Sequence, residues 1–145
     1  MSEQVSVRHA TPSDAEQIAS LVGELGYPSS GAEIVSRLAQ LSEFQASITF
    51  VAEMDGNVVG VATGHVFPAL HISPIVAWLT TLVVGTRYQR RGIGKYLAVA
   101  IEDWAQGHGA SRLSVTSGNH RDGAHAFYER LGYERSGIRL SKPLS

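Results

Sequence analysis

Between Arg87 and Lys95 the chain gathers four cations, Arg87, Arg90, Arg91 and Lys95, around Gly92 and Gly94. A helix start leaves its first backbone N–H groups unpaired at the positive end of the macrodipole. Glycines let a ligand approach that backbone, and flanking cations attract it from a distance. The residue set therefore predicts an anion site suited to phosphate or pyrophosphate. A basic helix start whose glycines serve only the turn would look the same from these residues alone. Two well-known phosphate loops do not fit. A P-loop needs Ser or Thr after Gly-Lys, where this chain has Tyr96, and a dinucleotide fingerprint needs a third small residue where it has Leu97.

Such a turn has to be held between a strand and a helix. Leu79 to Val84 is a β-branched, apolar run that suits a strand buried on both faces. Ile93, Leu97, Ala100/Ile101 and Trp104 recur at helical spacing and define one face of an amphipathic helix over 93–106. Strand, turn and helix frame Gln89-x-x-Gly92-x-Gly94, which resembles the acetyl-CoA pyrophosphate loop of the GNAT-type N-acetyltransferase superfamily. Ala126 to Tyr133, with Phe127-Tyr128 and Gly132-Tyr133, is similar to a second element of that family.

The rest of the chain is consistent with this likeness from end to end. Val5 and Val7 alternate with polar residues in a first strand over about 4–9. Thr11-Pro12-Ser13-Asp14 opens a helix carrying Ile18, Leu21, Val22 and Leu25 and ending at Gly26. Ser30 with Glu33 predicts a capping box for a second helix, bearing Ile34, Leu38 and Leu41. Runs 48–54 and 58–67 around Asp55-Gly56-Asn57 predict a hairpin. A looser segment, 68–74, leads into the strand at 76–84. Gly107 and Gly109 stop the long helix, and Leu113 and Val115 mark a strand at about 111–117. Strand, helix, strand implies a parallel pair joined by a right-handed crossover. A helix carrying Ala124, Phe127 and Leu131 follows, then a final strand or hairpin through Tyr133, Ile138 and Leu140.

The fold class is therefore α/β (α+β). The resemblance implies a single domain spanning 1–145, with a mixed, mostly antiparallel sheet of six to seven strands, a parallel and splayed strand 4/strand 5 pair, and about four helices. It implies acetyl-CoA as cosubstrate. The amide-rich arm would lie along the backbone of Leu82, Val83 and Val84, and an N–H of Leu82 or Val83 would polarise the thioester carbonyl. Gln89, Arg90, Arg91, Gly92, Ile93, Gly94 and Lys95 would hold the diphosphate. Tyr128 would sit near the cofactor sulfur and donate a proton to the departing thiolate. A tyrosine packed at the sheet edge is the plainer alternative for Tyr128.

The chain departs from the family in two places. Where relatives often carry a carboxylate on the fourth strand it has Thr80 and Thr81, which leaves the general base unassigned. His65 and His71 are the nearest imidazoles, and desolvation of the amine is a route without a base. An asparagine expected seven residues before the tyrosine is replaced by Arg121, with Asn119 two positions off; either residue is a candidate for cofactor contact. Tyr27, His65, His71 and Thr81 are the candidates for the acceptor side. Residues 119–128, together with Arg139 to Lys142, are similar to aminoalkylphosphonate N-acetyltransferases, which implies a small amine bearing an acidic group.

Composition narrows the classes. With 145 residues, 43% hydrophobic and 17% charged, the chain can bury a core. A net charge of −1 argues against a nucleic-acid or bilayer surface. There is no cysteine, hence no disulfide or thiolate nucleophile, and no serine stands in an elbow motif. The histidines include no helical His-x-x-x-His pair, so no metal is expected. No signal segment is visible, and a cytoplasmic protein is the default. The sequence predicts acetyl transfer to a primary amine of a small molecule by direct attack in a ternary complex. A protein N-terminal or lysine acetyltransferase, a non-catalytic acetyl-CoA-binding regulatory module and a nucleotide switch remain as rivals, and a homodimer through the final strand stays open.

Overall fold

The structure, a computed structural model, describes residues 4–44, 46–115, 122–137 and 139–144. In chain order its elements are β1 (Val5–His9), α1 (Ala15–Leu25), α2 (Gly31–Ser42), β2 (Ser47–Met54), β3 (Asn57–Ala69), β4 (Ile72–Val84), α3 (Ile93–Gly107), β5 (Ala110–Val115) and α4 (Asp122–Arg130). Short 3-10 turns, Pro12–Asp14 and Thr86–Tyr88, precede α1 and α3. The strands form one sheet in the order β1-β2-β3-β4-β5. The first three neighbouring pairs are antiparallel, and β4 with β5 is parallel.

Local signals fold as their chemistry dictates. At the start of α2, Ser30 N–H donates to Glu33 Oε1 at 2.9 Å and Glu33 N–H donates to Ser30 Oγ at 3.1 Å. Between β2 and β3, Asp55 and Gly56 take φ of 52° and 80°, the left-handed pair that a two-residue hairpin turn requires. Thr11 N–H donates to Asp14 Oδ2 at 2.8 Å, and the same buried carboxylate takes two bonds of 2.9 Å from the Arg8 guanidinium. Those bonds hold the Asp14 carboxyl below its usual range despite burial, and tie β1 to the entry of α1.

The sheet separates two apolar layers. Val51, Val61 and Val83 pack with Ile18, Leu21 and Ile34 of α1 and α2, while Ala52, Val59, Ala62 and Leu79 pack with Ile93, Leu97 and Ile101 of α3. Helix α3 comes unusually close to β3. A Cβ at Gly60 would stand 2.9 Å from Leu97 Cδ1, and one at Gly64 would stand 2.8 Å from Ile101 Cγ2. The two glycines let Leu97 and Ile101 reach the sheet with no exposed surface left, each worth about 2 kcal/mol in burial. This close seat fixes the first turn of α3 relative to β4.

The sheet has five strands among the described residues, fewer than the six to seven expected. No strand forms among the described residues after α4. The alternation there is only Ile138 and Leu140, and Ile138 lies outside the described residues. Gly137 and Pro143 interrupt the run, and Leu140 stands 89% exposed. Among the described residues no helix is long and apolar enough to cross a membrane.

Candidate active site

β4 pairs with β5 only as far as Leu79 opposite Val115, whereas its pairing with β3 runs on to Val84 opposite Gly60. From Thr80 onward, β4 thus has no β5 partner among the described residues. Gly85 N–H donates to the Val59 carbonyl at 2.9 Å. The register continues one for one from Val84 back to Thr81. Because backbone groups alternate sides along a strand, Thr81 and Val83 direct theirs at β3, and Leu82 and Val84 direct theirs away from β3. Of the two amides expected at the thioester carbonyl, that of Leu82 points away from β3, and that of Val83 points into the β3–β4 ladder.

Gly85 and the Thr86–Tyr88 turn carry the chain from β4 to the basic loop. Gln89 Nε2 donates to the Val84 carbonyl at 3.3 Å, folding that side chain back onto the strand end. Arg90 has φ of 65°, uncommon for a side chain with a Cβ, and Gly92 has φ of 81° as the N-cap of α3. No side chain caps this helix end, so the amides of its first turn are left for a ligand. A Cβ on Gly92 would meet nothing within 4 Å, so the space over the backbone is open. An uncapped helix start, open space and exposed Arg90 and Lys95 side chains fit a diphosphate. The two glycines do different work. Gly92 supplies the left-handed turn, whereas a Cβ on Gly94 would lie 3.1 Å from Phe127 Cζ, so Gly94 lets α4 lie against α3. Arg91 stacks 5.5 Å above the Tyr88 ring, with Met54 Sδ 4.0 Å from its NH1, beside a cavity of about 410 Å³ lined by Gln4, Val5, Met54 and Tyr96.

Tyr128 is half-buried in the last turns of α4, its ring 5.2 Å from that of Phe127 and 5.6 Å from that of Tyr133. Since Phe127 rests on Gly94, the phenol is carried on a helix anchored at the head of α3.

The opposite face of β4 has a feature the sequence did not announce. The β3–β4 register shifts between Thr63 opposite Thr81 and Gly64 opposite Leu79, so Thr80 is an extra, bulged residue. Its Oγ1 lies 3.0 Å from His65 Nε2 and donates to the Thr63 carbonyl at 3.4 Å, while Thr63 and Thr49 join hydroxyls at 3.2 Å. Burial pushes the His65 imidazole below its ordinary pKa of 6.5, which keeps it neutral and able to accept a proton at pH 7. Thr81 points to the same face beside Thr63. Tyr27 is 66% exposed just past α1, and nearby Glu24 Oε1 accepts from Thr86 N–H at 3.0 Å, so α1 ends at the carboxyl end of β4.

His71 does not join this group. It is exposed at the tip of the β3–β4 hairpin, roughly 30 Å along the strand from Thr81 at about 3.3 Å per residue. Asn119 and Arg121 lie outside the described residues.

Residues 17–133 match the Acetyltransferase (GNAT) family. The chain is 28% identical over 143 residues to an aminoalkylphosphonate N-acetyltransferase of Salmonella typhimurium, covering 95% of this chain and 90% of that one. It is 27% identical to a type 1 aminoglycoside N(6')-acetyltransferase of Stenotrophomonas maltophilia, over 90% of this chain and 87% of the other. The solved structure of an aminoglycoside N-acetyltransferase in complex with CoA superposes with a TM-score of 0.87 at 16% identity, covering 100% of this chain and 98% of that one, a likeness of fold. The loop between β4 and α3, the parallel β4–β5 pair and α4 all fall within the matched span, and the chain belongs to the GNAT acetyltransferase family, enzymes that take their acetyl group from acetyl-CoA.

Proposed function

We propose that this acetyltransferase moves the acetyl group to a primary amine of a small molecule by direct attack in a ternary complex, as a single domain working in the cytoplasm. Acetyl-CoA supplies an acyl group activated as a thioester. The Leu82 and Val84 backbone binds the amide-rich arm as an added strand would, and the Leu82 N–H polarises the carbonyl. A backbone donor of that kind is worth about 3 kcal/mol at a developing oxyanion. Amides from Arg91 to Lys95 hold the diphosphate, with Gln89, Arg90 and Lys95 about it; Asn119 and Arg121 are assigned to the same cofactor. The Tyr128 phenol gives its proton to the sulfur as the C–S bond breaks.

The amine has to lose a proton as the N–C bond forms. An alkylamine of pKa about 10 is only about 0.1% neutral at pH 7. His65 accepts that proton on Nδ1, directly or through a water, while its Nε2–H donates to the Thr80 hydroxyl. Tyr27 and Thr81 line the acceptor side, and an acidic group on the amine is the alternative partner for Arg121. The observation that carries the reading is the pair of amides at Leu82 and Val84 that point away from β3 beside an uncapped helix start. The small-molecule acceptor is supported by two relatives, named for aminoalkylphosphonates and aminoglycosides, that match nearly the whole chain. A homodimer would set a second copy against the segment after α4.

Thiol release from acetyl-CoA, measured over aminophosphonates, aminoglycosides, polyamines, amino acids and peptides, tests the acceptor class. Turnover is expected with a small amine. Turnover confined to peptides would replace this acceptor, and binding of acetyl-CoA with no turnover on any amine would favour a regulatory module.

A further inference from the structure

The chain after α4 does more than end a helix. Gly132 has φ of 98°, its N–H donates to the Glu129 carbonyl at 3.0 Å, and Tyr133 N–H donates to the Tyr128 carbonyl at 3.0 Å. This is a Schellman closure in which Tyr133 and Tyr128 are the two positions whose side chains meet. Their rings pack edge to face at 5.6 Å. The Tyr133 hydroxyl then reaches across to α3 and donates to Glu102 Oε2 at 2.6 Å. Burial, reinforced by the Glu102 carboxylate, pushes the Tyr133 phenol well above its ordinary range. It therefore stays protonated, and stays a donor, at any working pH.

Helix α4 is thus fastened to α3 at two points. Phe127 rests on Gly94 in the first turn of α3, and Tyr133 is tied to Glu102. The two α3 positions are eight residues apart, or about 12 Å along the helix axis. The first fastening lies at the diphosphate loop and the second lies deeper along the helix. Tyr128 sits between them, touching Phe127 on one side and Tyr133 on the other. A side chain that must meet a leaving sulfur within hydrogen-bond reach needs such fixing, because a displacement of about 1 Å is enough to cost up to about 10²-fold in rate.

We propose that Tyr133, pinned by Glu102, is a positioning residue that holds the Tyr128 phenol in line for proton transfer. The proposal rests on the reading of Tyr128 as proton donor. It adds to that reading a requirement on two residues that are assigned to neither the acetyl-CoA site nor the acceptor side. Tyr133→Phe removes only the hydroxyl, keeping the ring contact and the backbone bonds of the closure. It should lower kcat about tenfold while KM for acetyl-CoA stays within about twofold. Glu102→Ala should do the same, and Glu102→Gln, whose amide oxygen still accepts the bond, should stay within about threefold of the parent in kcat. In the Tyr128→Phe background, adding Tyr133→Phe should cost nothing more, since there is then no phenol to position.

The outcomes separate the two readings. If Tyr128→Phe loses about 10²-fold in kcat and Tyr133→Phe loses none, the positioning role is overturned and the proton donor stands. If the two losses multiply in the double variant, Tyr133 acts on the fold alone and the proposal is likewise overturned. An unchanged kcat in Tyr128→Phe removes the donor and with it anything to be positioned. Melting temperatures of all the variants show whether each is folded at assay temperature. Should Tyr133→Phe not fold, Glu102→Gln against Glu102→Ala reads the same bond from its other end.

Discussion

On the side of β4 away from β3, the groups we assign to acetyl-CoA are backbone groups: the Leu82 and Val84 amides and the first turn of α3, where Gly92 supplies the left-handed N-cap and Gly94 seats α4. On the face toward α1 and α2, the polar groups are side chains: Thr49, Thr63, Thr81 and the bulged Thr80 with His65. Backbone donors stay put because the sheet and helix fix them. They suit a donor molecule whose diphosphate and amides never vary. Side chains on a sheet face can be exchanged without disturbing the strand, and they suit an acceptor whose chemistry differs among enzymes of one fold. One strand thus separates a constant task from a variable one.

The comparison breaks most sharply at Tyr128, which belongs to neither set. Tyr128→Phe is expected to lower kcat by about 10²-fold, with KM for acetyl-CoA little changed, because in the proposed role the phenol acts only as the sulfur departs. Steady-state thiol release reads both constants. An equal rise in KM would instead place the phenol among the groups that bind the donor.

The two glycines sharpen the backbone side. Gly94→Val gains helix propensity of up to about 0.5 kcal/mol but drives Cβ against the Phe127 ring, so α4 must shift. It is expected to keep its melting temperature and lose about 30-fold in kcat/KM for acetyl-CoA. Gly92→Ala meets no neighbour and only forces a Cβ residue into a left-handed turn, at about 1–2 kcal/mol. Its loss should therefore show first in thermal melting. Scans of the two variants beside their kinetics check the pairing; equal behaviour would mean that the glycines share one role.

The same contrast explains what could be read from sequence. Backbone chemistry leaves a mark in spacing. Gly92 and Gly94 after an apolar run, Ser30 with Glu33, and Asp55-Gly56 each name a local geometry, and each geometry is present. Side-chain constellations leave no such mark. The Thr80 bulge is a shift in register between β3 and β4, and Glu102 with Tyr133 joins residues 31 positions apart. Choosing Leu82 over Val83 required knowing which neighbour each amide faces. His71 lay near the strand start in sequence, but β3 and β4 run 13 residues each and carry it to a hairpin tip. The strand expected after α4 rests on Tyr133, Ile138 and Leu140, too few apolar residues to outweigh Gly137 and Pro143.

The acceptor face is sharpened by pH. Burial alone lowers the His65 pKa below 6.5, so the imidazole becomes neutral at a lower pH in the fold than in the unfolded chain. If it takes the amine proton, kcat/KM for the amine should carry a limb that rises through that lowered value, below the separate rise set by the amine itself. His65→Gln keeps a polar partner for Thr80, should cost about tenfold, and should erase the lower limb while leaving KM for acetyl-CoA unchanged. Stability follows the same sign. A histidine whose folded pKa is depressed contributes stability that is complete above pH 6.5 and is lost as pH falls through the folded value. Denaturant melts of the parent should therefore weaken on acidification over that window, and those of His65→Gln should weaken less. A rate profile that keeps its lower limb in His65→Gln would assign the limb to another group and leave desolvation of the amine as the route to its neutral form. Parallel melts in the two proteins would show that His65 is equally protonated in the folded and unfolded chains.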